Sequence, residues 1–309
     1  MEIVIIGLGS ISKKHILSLD ALGIIYKIKA LRSNRNATVE KNITNIYDLS
    51  EIGHPDFVII SNPTSEHFQT IKSIAEIGLP MFIEKPAVHS LDNITEILAL
   101  IRQNNLFTYV GCNLRFHPCL KYVKEQLFKT DKVINEVNIY CGSYLPDWRP
   151  GQNYKNIYSA NLEMGGGVHL DLFHEMDYAC WLFGQPNTFK GFSSSKSSLG
   201  INAPDYSNYI LSYPSFNISI ILNYYRREAK RSLEIVFEEN TWYIDLIRHV
   251  IYDGEGALIF EAPNFNILDS YKDQMKYFIE CLNTQKVPMN TFSESIEILK
   301  ISLSNEPIR

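Results

Sequence analysis

The densest chemistry in the chain lies at Gly165-Gly-Gly-Val-His169-Leu-Asp171-Leu-Phe-His174-Glu-Met-Asp177. Three glycines followed by a helix with Asp171, His174 and Asp177 at steps of three put a carboxylate beside an imidazole within one turn. The carboxylate would orient the imidazole and stabilise its protonated form, so that the histidine takes up a proton near neutral pH. A surface ion pair is the plainer use of the same spacing. Metal binding is a third, but no His-x-x-x-His pair or cysteine set accompanies it, and no metal is expected. At the other end of the chain, a β-branched run over residues 3–6 stops at Gly7, and Ile11, Ile16, Leu19 and Leu22 then share one helical face. Gly7 and Gly9 permit a tight turn and a close approach to a pyrophosphate, whose charge would meet the helix N-terminus at Ser10 and Ile11. Ser12 stands where a third glycine is usual and is small enough to keep helix and strand close.

Strand and helix patterns place these groups. A strand over residues 24–31 runs into Arg32-Ser33-Asn-Arg35-Asn36, with no acidic residue between Lys27 and Val39. At that position an acid accepts from the ribose 2′-hydroxyl and an arginine favours a 2′-phosphate, so Arg32 and Ser33 favour NADP over NAD, unless they form only a charged loop. A strand over 56–61 ends in Asn62-Pro63-Thr64-Ser-Glu-His67 before a helix over 68–77, and such a turn lies where open α/β sheets bind ligands. A strand over 79–83 ends in Glu84-Lys85-Pro86, whose proline fixes the backbone and aims Lys85 outward. A helix over 90–103, a strand over 107–111 and the exit through Asn113 and Arg115 complete a doubly wound parallel sheet. Beyond a helix over 120–128 and a strand over 133–144 the pattern becomes strand after strand from 189 to 261, the mark of an α+β domain with a mainly antiparallel sheet. Domains of residues 1–118 and 119–309 are expected, with the closing helices of 269–309 packing back on the first. Tyr206, Tyr209, Tyr213, Phe216, Tyr224, Tyr225, Trp242 and Tyr243 are dense enough to suggest a subunit interface.

A net charge of −5 and the lack of a long basic run exclude the footprint of a nucleic-acid binder. No apolar run is long enough for a membrane span, and a core strand at the very start leaves no room for a signal peptide. Five cysteines without a Cys-x-x-Cys pair read as free thiols of a reducing compartment, so a cytoplasmic protein without membrane or nucleic-acid partners is expected.

Gly7-x-Gly9 with His15, the Pro63-Thr64 turn with His67, Glu84-Lys85-Pro86, Asn113 with Arg115, and the triple-glycine helix together resemble the Gfo/Idh/MocA family of glucose–fructose oxidoreductases and inositol dehydrogenases. The resemblance spans essentially the whole chain. It implies a Rossmann domain, a second domain whose open sheet joins subunits into a homodimer or homotetramer, and oxidation or reduction of a sugar or cyclitol hydroxyl with NAD or NADP. Carried over residue by residue, Lys85, Asp171 and His174 match the family's active-site lysine, aspartate and histidine. The chain departs from the family at Ser12, and in a three-residue step from Asp171 to His174 where many members have four, which leaves open whether Asp171, His174 or His169 faces the substrate.

Taking a hydride from a secondary alcohol requires a base at the hydroxyl and a cation near the developing charge. His174, oriented by Asp171, fits the base and Lys85 the donor, although these two roles are exchangeable. Residues 144–159 hold Trp148, Tyr154 and Tyr158, which suit a sugar face, and Arg149, which suits an attached anion; Arg115 and His169 are further candidates for substrate contact. The Leu-Pro-Asp-Trp-Arg-Pro phrase resembles the family's branch for surface-polysaccharide sugars, including nucleotide-linked ones. Two other readings are a non-redox enzyme that uses nicotinamide transiently, such as an elimination-type glycosidase, and a non-catalytic NADP sensor.

Overall fold

The computed structural model describes all residues except Ala37, Val39, Thr130, Ile308 and Arg309. Chain order runs β1 (Glu2–Ile6), α1 (Ser10–Ala21), β2 (Lys27–Leu31), β3 (Ile43–Ile46), β4 (Phe57–Ile60), α2 (Thr64–Ile77), β5 (Met81–Glu84), α3 (Ile94–Gln103), β6 (Thr108–Gly111), α4 (Pro118–Lys129) and β7 (Ile134–Tyr144). It continues through α5 (Val168–Asp171), α6 (His174–Phe183), β8 (Thr188–Ser194), β9 (Tyr206–Ser212), β10 (Asn217–Asn223), β11 (Tyr225–Phe237), β12 (Thr241–Asp245), β13 (Val250–Asp253), β14 (Leu258–Glu261), α7 (Ile267–Thr284), α8 (Phe292–Ser302) and β15 (Asn305–Pro307). The chain divides into one unit of Met1–Asn113 with Ile267–Ile296 and another of Leu114–Asn266 with Glu297–Arg309.

The first unit is a six-stranded parallel sheet in the order β3-β2-β1-β4-β5-β6, so the strand order reverses between β1 and β4. β4 and β5 are buried along their whole length, as strands covered on both faces must be. α7 supplies Met275, Phe278, Ile279 and Leu282, a single apolar stripe, to the core formed by Ile3, Ile5, Leu19, Phe57 and Phe82. The Phe278 ring meets Phe57 and Phe82 edge-on, with centroids 4.8 and 5.2 Å away. Several bounds differ from the sequence reading: α3 starts at Ile94 rather than residue 90, and β2 at Lys27 rather than residue 24. β3, four residues pairing only with β2, has too little apolar alternation to stand out, and α2 begins at Thr64 because its first turn is polar and carries no periodic signal.

The second unit is a mixed, mostly antiparallel sheet in the order β14-β13-β12-β11-β7-β10-β9-β8, to which β15 adds a ninth strand. β10 runs parallel to β7, and the remaining pairs among the eight are antiparallel. Val137, Ile139, Ile218, Ile220, Leu233 and Ile235 point to the core face, while Asn138 and Tyr140 on the other face are half-buried. Tyr209, Tyr213, Tyr224 and Trp242 belong to this unit's own core, so these four aromatics are not available to an interface; Tyr225 and Tyr243 remain exposed.

The helix expected to carry Asp171, His174 and Asp177 without interruption is broken. α5 ends at Asp171, Leu172 leaves the helical region at φ −94° and ψ 37°, and α6 starts at His174. The break lets two anchors pull in different directions: Asp171 is held by tyrosines, whereas Asp177 accepts from Nε and Nη2 of Arg115 at 2.9 and 2.7 Å. Glu175 similarly takes the Arg231 guanidinium at 2.8 Å. Buried charges persist only when paired, so the acids of α6 lock it beneath the sheet.

Candidate functional site

In the first unit the site is built at the turn from β1 to α1. Gly7 sits at φ +88°, and a Cβ there would lie 2.4 Å from the Asn62 backbone, so only glycine fits. Gly9 is different: a Cβ would meet no atom of the described residues within 4 Å, which leaves open space in front of the helix N-terminus. The first turn of α1 carries no acidic side chain, and Ser10 is exposed beside Gly9, so nothing anionic from that turn competes for its dipole. Ser12 takes over the third glycine's place by bonding rather than by absence. Its hydroxyl donates to the Gly7 carbonyl at 2.5 Å, accepts from the Gly9 N–H at 3.1 Å, and lies 3.0 Å from the Ser61 hydroxyl. A dinucleotide pyrophosphate fits this cradle.

The ends of β4 and β5 lie in the same unit. His67 is buried, with Nε2 3.0 Å from the Asn62 carbonyl and Nδ1 3.2 and 3.1 Å from those of Pro86 and Ala87, so it ties the Asn62 turn to the segment after Lys85. Burial pushes its pKa down while the three carbonyls oppose that shift. Pro63 is exposed and Thr64 half-buried at the start of α2. Glu84 is buried and holds His15 Nε2 at 2.6 Å, and its other oxygen accepts the Lys85 N–H at 3.3 Å. Lys85 is half-buried and joined to Pro86 by a cis peptide bond. Asn113 is buried on the Ser270 hydroxyl at 2.8 Å. At the end of β2, Arg32 is half-buried and its Nη1 has no hydrogen-bond partner among the described residues, while Ser33 is exposed.

In the second unit the chemistry converges on Asp171. The Tyr158 hydroxyl donates to Oδ1 and the Tyr224 hydroxyl donates to Oδ2 at 2.5 Å. Burial first, and the Asp171 charge second, push both phenols well above their ordinary pKa. Trp148 donates to Ser143 at 2.9 Å and sets its ring edge-to-face with Tyr224 at 5.3 Å, and the exposed Arg149 exerts its charge on Tyr158. The triple glycine explains this convergence. A Cβ on Gly166 would lie 2.0 Å from the Tyr158 carbonyl, and one on Gly167, at φ +139°, would lie 2.6 Å from the His169 ring. Only bare backbone lets residues 158–161 and His169 close on the start of α5. His169 is buried, which pushes its pKa down to about 4 against the upward pull of Asp171. His174, also buried, opens α6.

Structure thus groups Trp148, Arg149, Tyr158, His169 and Asp171. Two expected substrate contacts have other surroundings: Tyr154 donates to the Leu199 carbonyl at 3.0 Å, and Arg115 is wholly buried on Asp177, where a guanidinium braces the fold. Sequence reasoning misses Tyr224, which its neighbours disguise as one more interface aromatic, although strict alternation from Leu222 would turn it inward.

Residues 1–112 match the family profile described as oxidoreductase family, NAD-binding Rossmann fold. The scyllo-inositol 2-dehydrogenase (NAD(+)) of Bacillus subtilis is 24% identical over 97% of this chain and 91% of its own. Among solved structures, a levoglucosan dehydrogenase in complex with NADH and levoglucosan matches with a TM-score of 0.84 at 16% identity, covering 98% of this chain and 95% of the other. The UDP-N-acetylglucosamine 3-dehydrogenase GnnA of Acidithiobacillus ferrooxidans matches with a TM-score of 0.79 at 15% identity, covering 99% and 96%. With the cradle at Gly9 and the reversed strand order beside it, the profile match identifies residues 1–112 of this chain as the NAD-binding Rossmann domain of the Gfo/Idh/MocA oxidoreductase family.

Proposed function

We propose that this chain is an NAD(P)-dependent dehydrogenase or reductase acting on a secondary hydroxyl or keto group of a sugar, cyclitol or sugar nucleotide. The observation that carries the reading is the Gly7–Ser12 turn, whose open space at Gly9 faces an uncompensated helix N-terminus. Gly7, Gly9, Ser10 and Ile11 would hold the pyrophosphate, with Asn62, Pro63, Thr64, His67, Glu84, Lys85 and Asn113 lining the remainder of the cofactor's path. Arg32, with a buried guanidinium nitrogen that has no hydrogen-bond partner among the described residues, and Ser33 support NADP over NAD.

When bound, the nicotinamide supplies the hydride acceptor or donor. The protein's part is to move a proton at the substrate oxygen: His174 is the base, Asp171 the group that orients its imidazole and Lys85 the cation for developing charge, the roles of His174 and Lys85 being exchangeable. Trp148, Arg149 and Tyr158 surround Asp171 with an aromatic face and a cation, which suits a sugar bearing an anionic group. Dehydrogenases of inositol, levoglucosan and UDP-N-acetylglucosamine among the similar proteins support that substrate class. The protein would work in the cytoplasm as a homodimer or homotetramer joined through the exposed face of the second unit's sheet, where Tyr225, Tyr243 and Tyr252 stand. Titration of NADPH and NADH fluorescence tests the core of this reading. Tighter NADPH binding, weakened by Arg32→Ala, is expected; binding of neither cofactor would overturn it.

A further inference from the structure

We propose that Tyr158 and Tyr224 are positioning residues for Asp171: their hydroxyls, one on each carboxylate oxygen, fix it as a stationary acceptor and transfer no proton themselves. The proposal rests on the oxidoreductase reading only in giving Asp171 a place at the reacting centre. Its own support is geometric. The two donors reach the carboxylate from different parts of the chain, Tyr158 from the loop before the triple glycine and Tyr224 from the junction of β10 and β11. One donor would leave the carboxylate free to rotate about its own axis, whereas two on opposite oxygens set both its plane and its direction. The loop donor arrives only because Gly166 admits the Tyr158 carbonyl where any side chain would collide. Tyr224 is fully buried and braced by the Trp148 ring, so its hydroxyl has little room to leave. Tyr224 is fully buried and both hydroxyls bond a negative charge, conditions that disfavour phenolate and so disfavour service as proton carriers.

A carboxylate that shares its charge with two hydroxyls exerts a weaker field on nearby imidazoles than a bare one. His169, on which the Asp171 charge acts, is the reporter. The experiment is a pH titration of the full chain carrying ¹³C-labelled histidine, with the His169 resonance assigned by its loss in His169→Gln. Wild-type His169 is expected to stay neutral down to about pH 4. Tyr158→Phe and Tyr224→Phe should each raise its midpoint by about half a unit or more, because Asp171 then holds a less shared charge. Tyr154→Phe, which removes a hydroxyl bonded to Leu199 instead, should leave the midpoint in place. An unmoved midpoint in Tyr158→Phe, or an equal rise in Tyr154→Phe, would overturn the proposal. Should the buried Tyr224→Phe fail to fold, the 38% exposed Tyr158 decides alone. No cofactor or substrate is present in the titration, so its failure is separate from that of the oxidoreductase reading, which the NADPH and NADH titration decides.

Discussion

Two glycines two residues apart do different work, and substitution separates them. Gly7→Ala puts a methyl group 2.4 Å from the Asn62 backbone at a φ that L residues avoid, so it should destabilise the first unit by at least about 1–3 kcal/mol from conformation alone. The Cβ of Gly9→Val meets no atom of the described residues within 4 Å, and the variant's unfolding midpoint in urea should stay near wild type while NADPH affinity drops tenfold or more. Equal NADPH binding by Gly9→Val would show that the space is not a ligand's. The glycine spacing could be read from sequence because a turn between strand and helix constrains it locally. The Ser12–Ser61 contact could not, since Ser61 arrives from another strand. Asp171 was visible for the same local reason, and Tyr224 was hidden because its partner is 53 positions away.

At the level of elements, α6 is held by charge as much as by apolar packing. Arg115 and Asp177 are both almost fully buried, so Asp177→Ala strands a guanidinium in the core and should cost about 3–5 kcal/mol in denaturant unfolding. Replacing both partners, Arg115→Met with Asp177→Leu, should recover most of that loss. A double variant as unstable as the single one would mean that the pair's geometry, rather than its charge balance, holds the helix. The break after Asp171 was illegible in sequence because His-Leu-Asp-Leu-Phe-His has good helical character, and tertiary bonds override it. The parallel strands were legible since burial on both faces leaves unbroken apolar runs such as Phe57–Ile60, whereas β3 rests almost wholly on its neighbour.

For the whole molecule, buried neutral histidines set an acid limit. His169 and His117 have pKa values pushed down to about 4 and about 3, burial being the main cause in both. His117 accepts from the Cys119 N–H at 3.2 Å and lies 3.0 Å from His249 Nδ1, an arrangement that suits a neutral ring. Unfolded histidine titrates near pH 6.5, so between that pH and about 4 the unfolded chain binds more protons than the folded one. Stability is therefore full above about pH 6.5 and falls as the pH drops, by about 2 kcal/mol for each histidine at pH 5. Urea midpoints at pH 7.5 and 5 check this, and a His117→Gln, His169→Gln double variant should flatten the difference; an unchanged difference would refute it.

The stripe on α7 that closes the first unit's core is encoded after all of β7 to β14. On a ribosome, the sheet made by the first 113 residues therefore waits with Phe57 and Phe82 lacking their cover while residues 114–266 are synthesised, on the order of ten seconds or more at roughly 5–20 residues per second. During that interval a chaperone that binds apolar surface has a target that the finished protein lacks, and a chain truncated at residue 266 should remain bound to it.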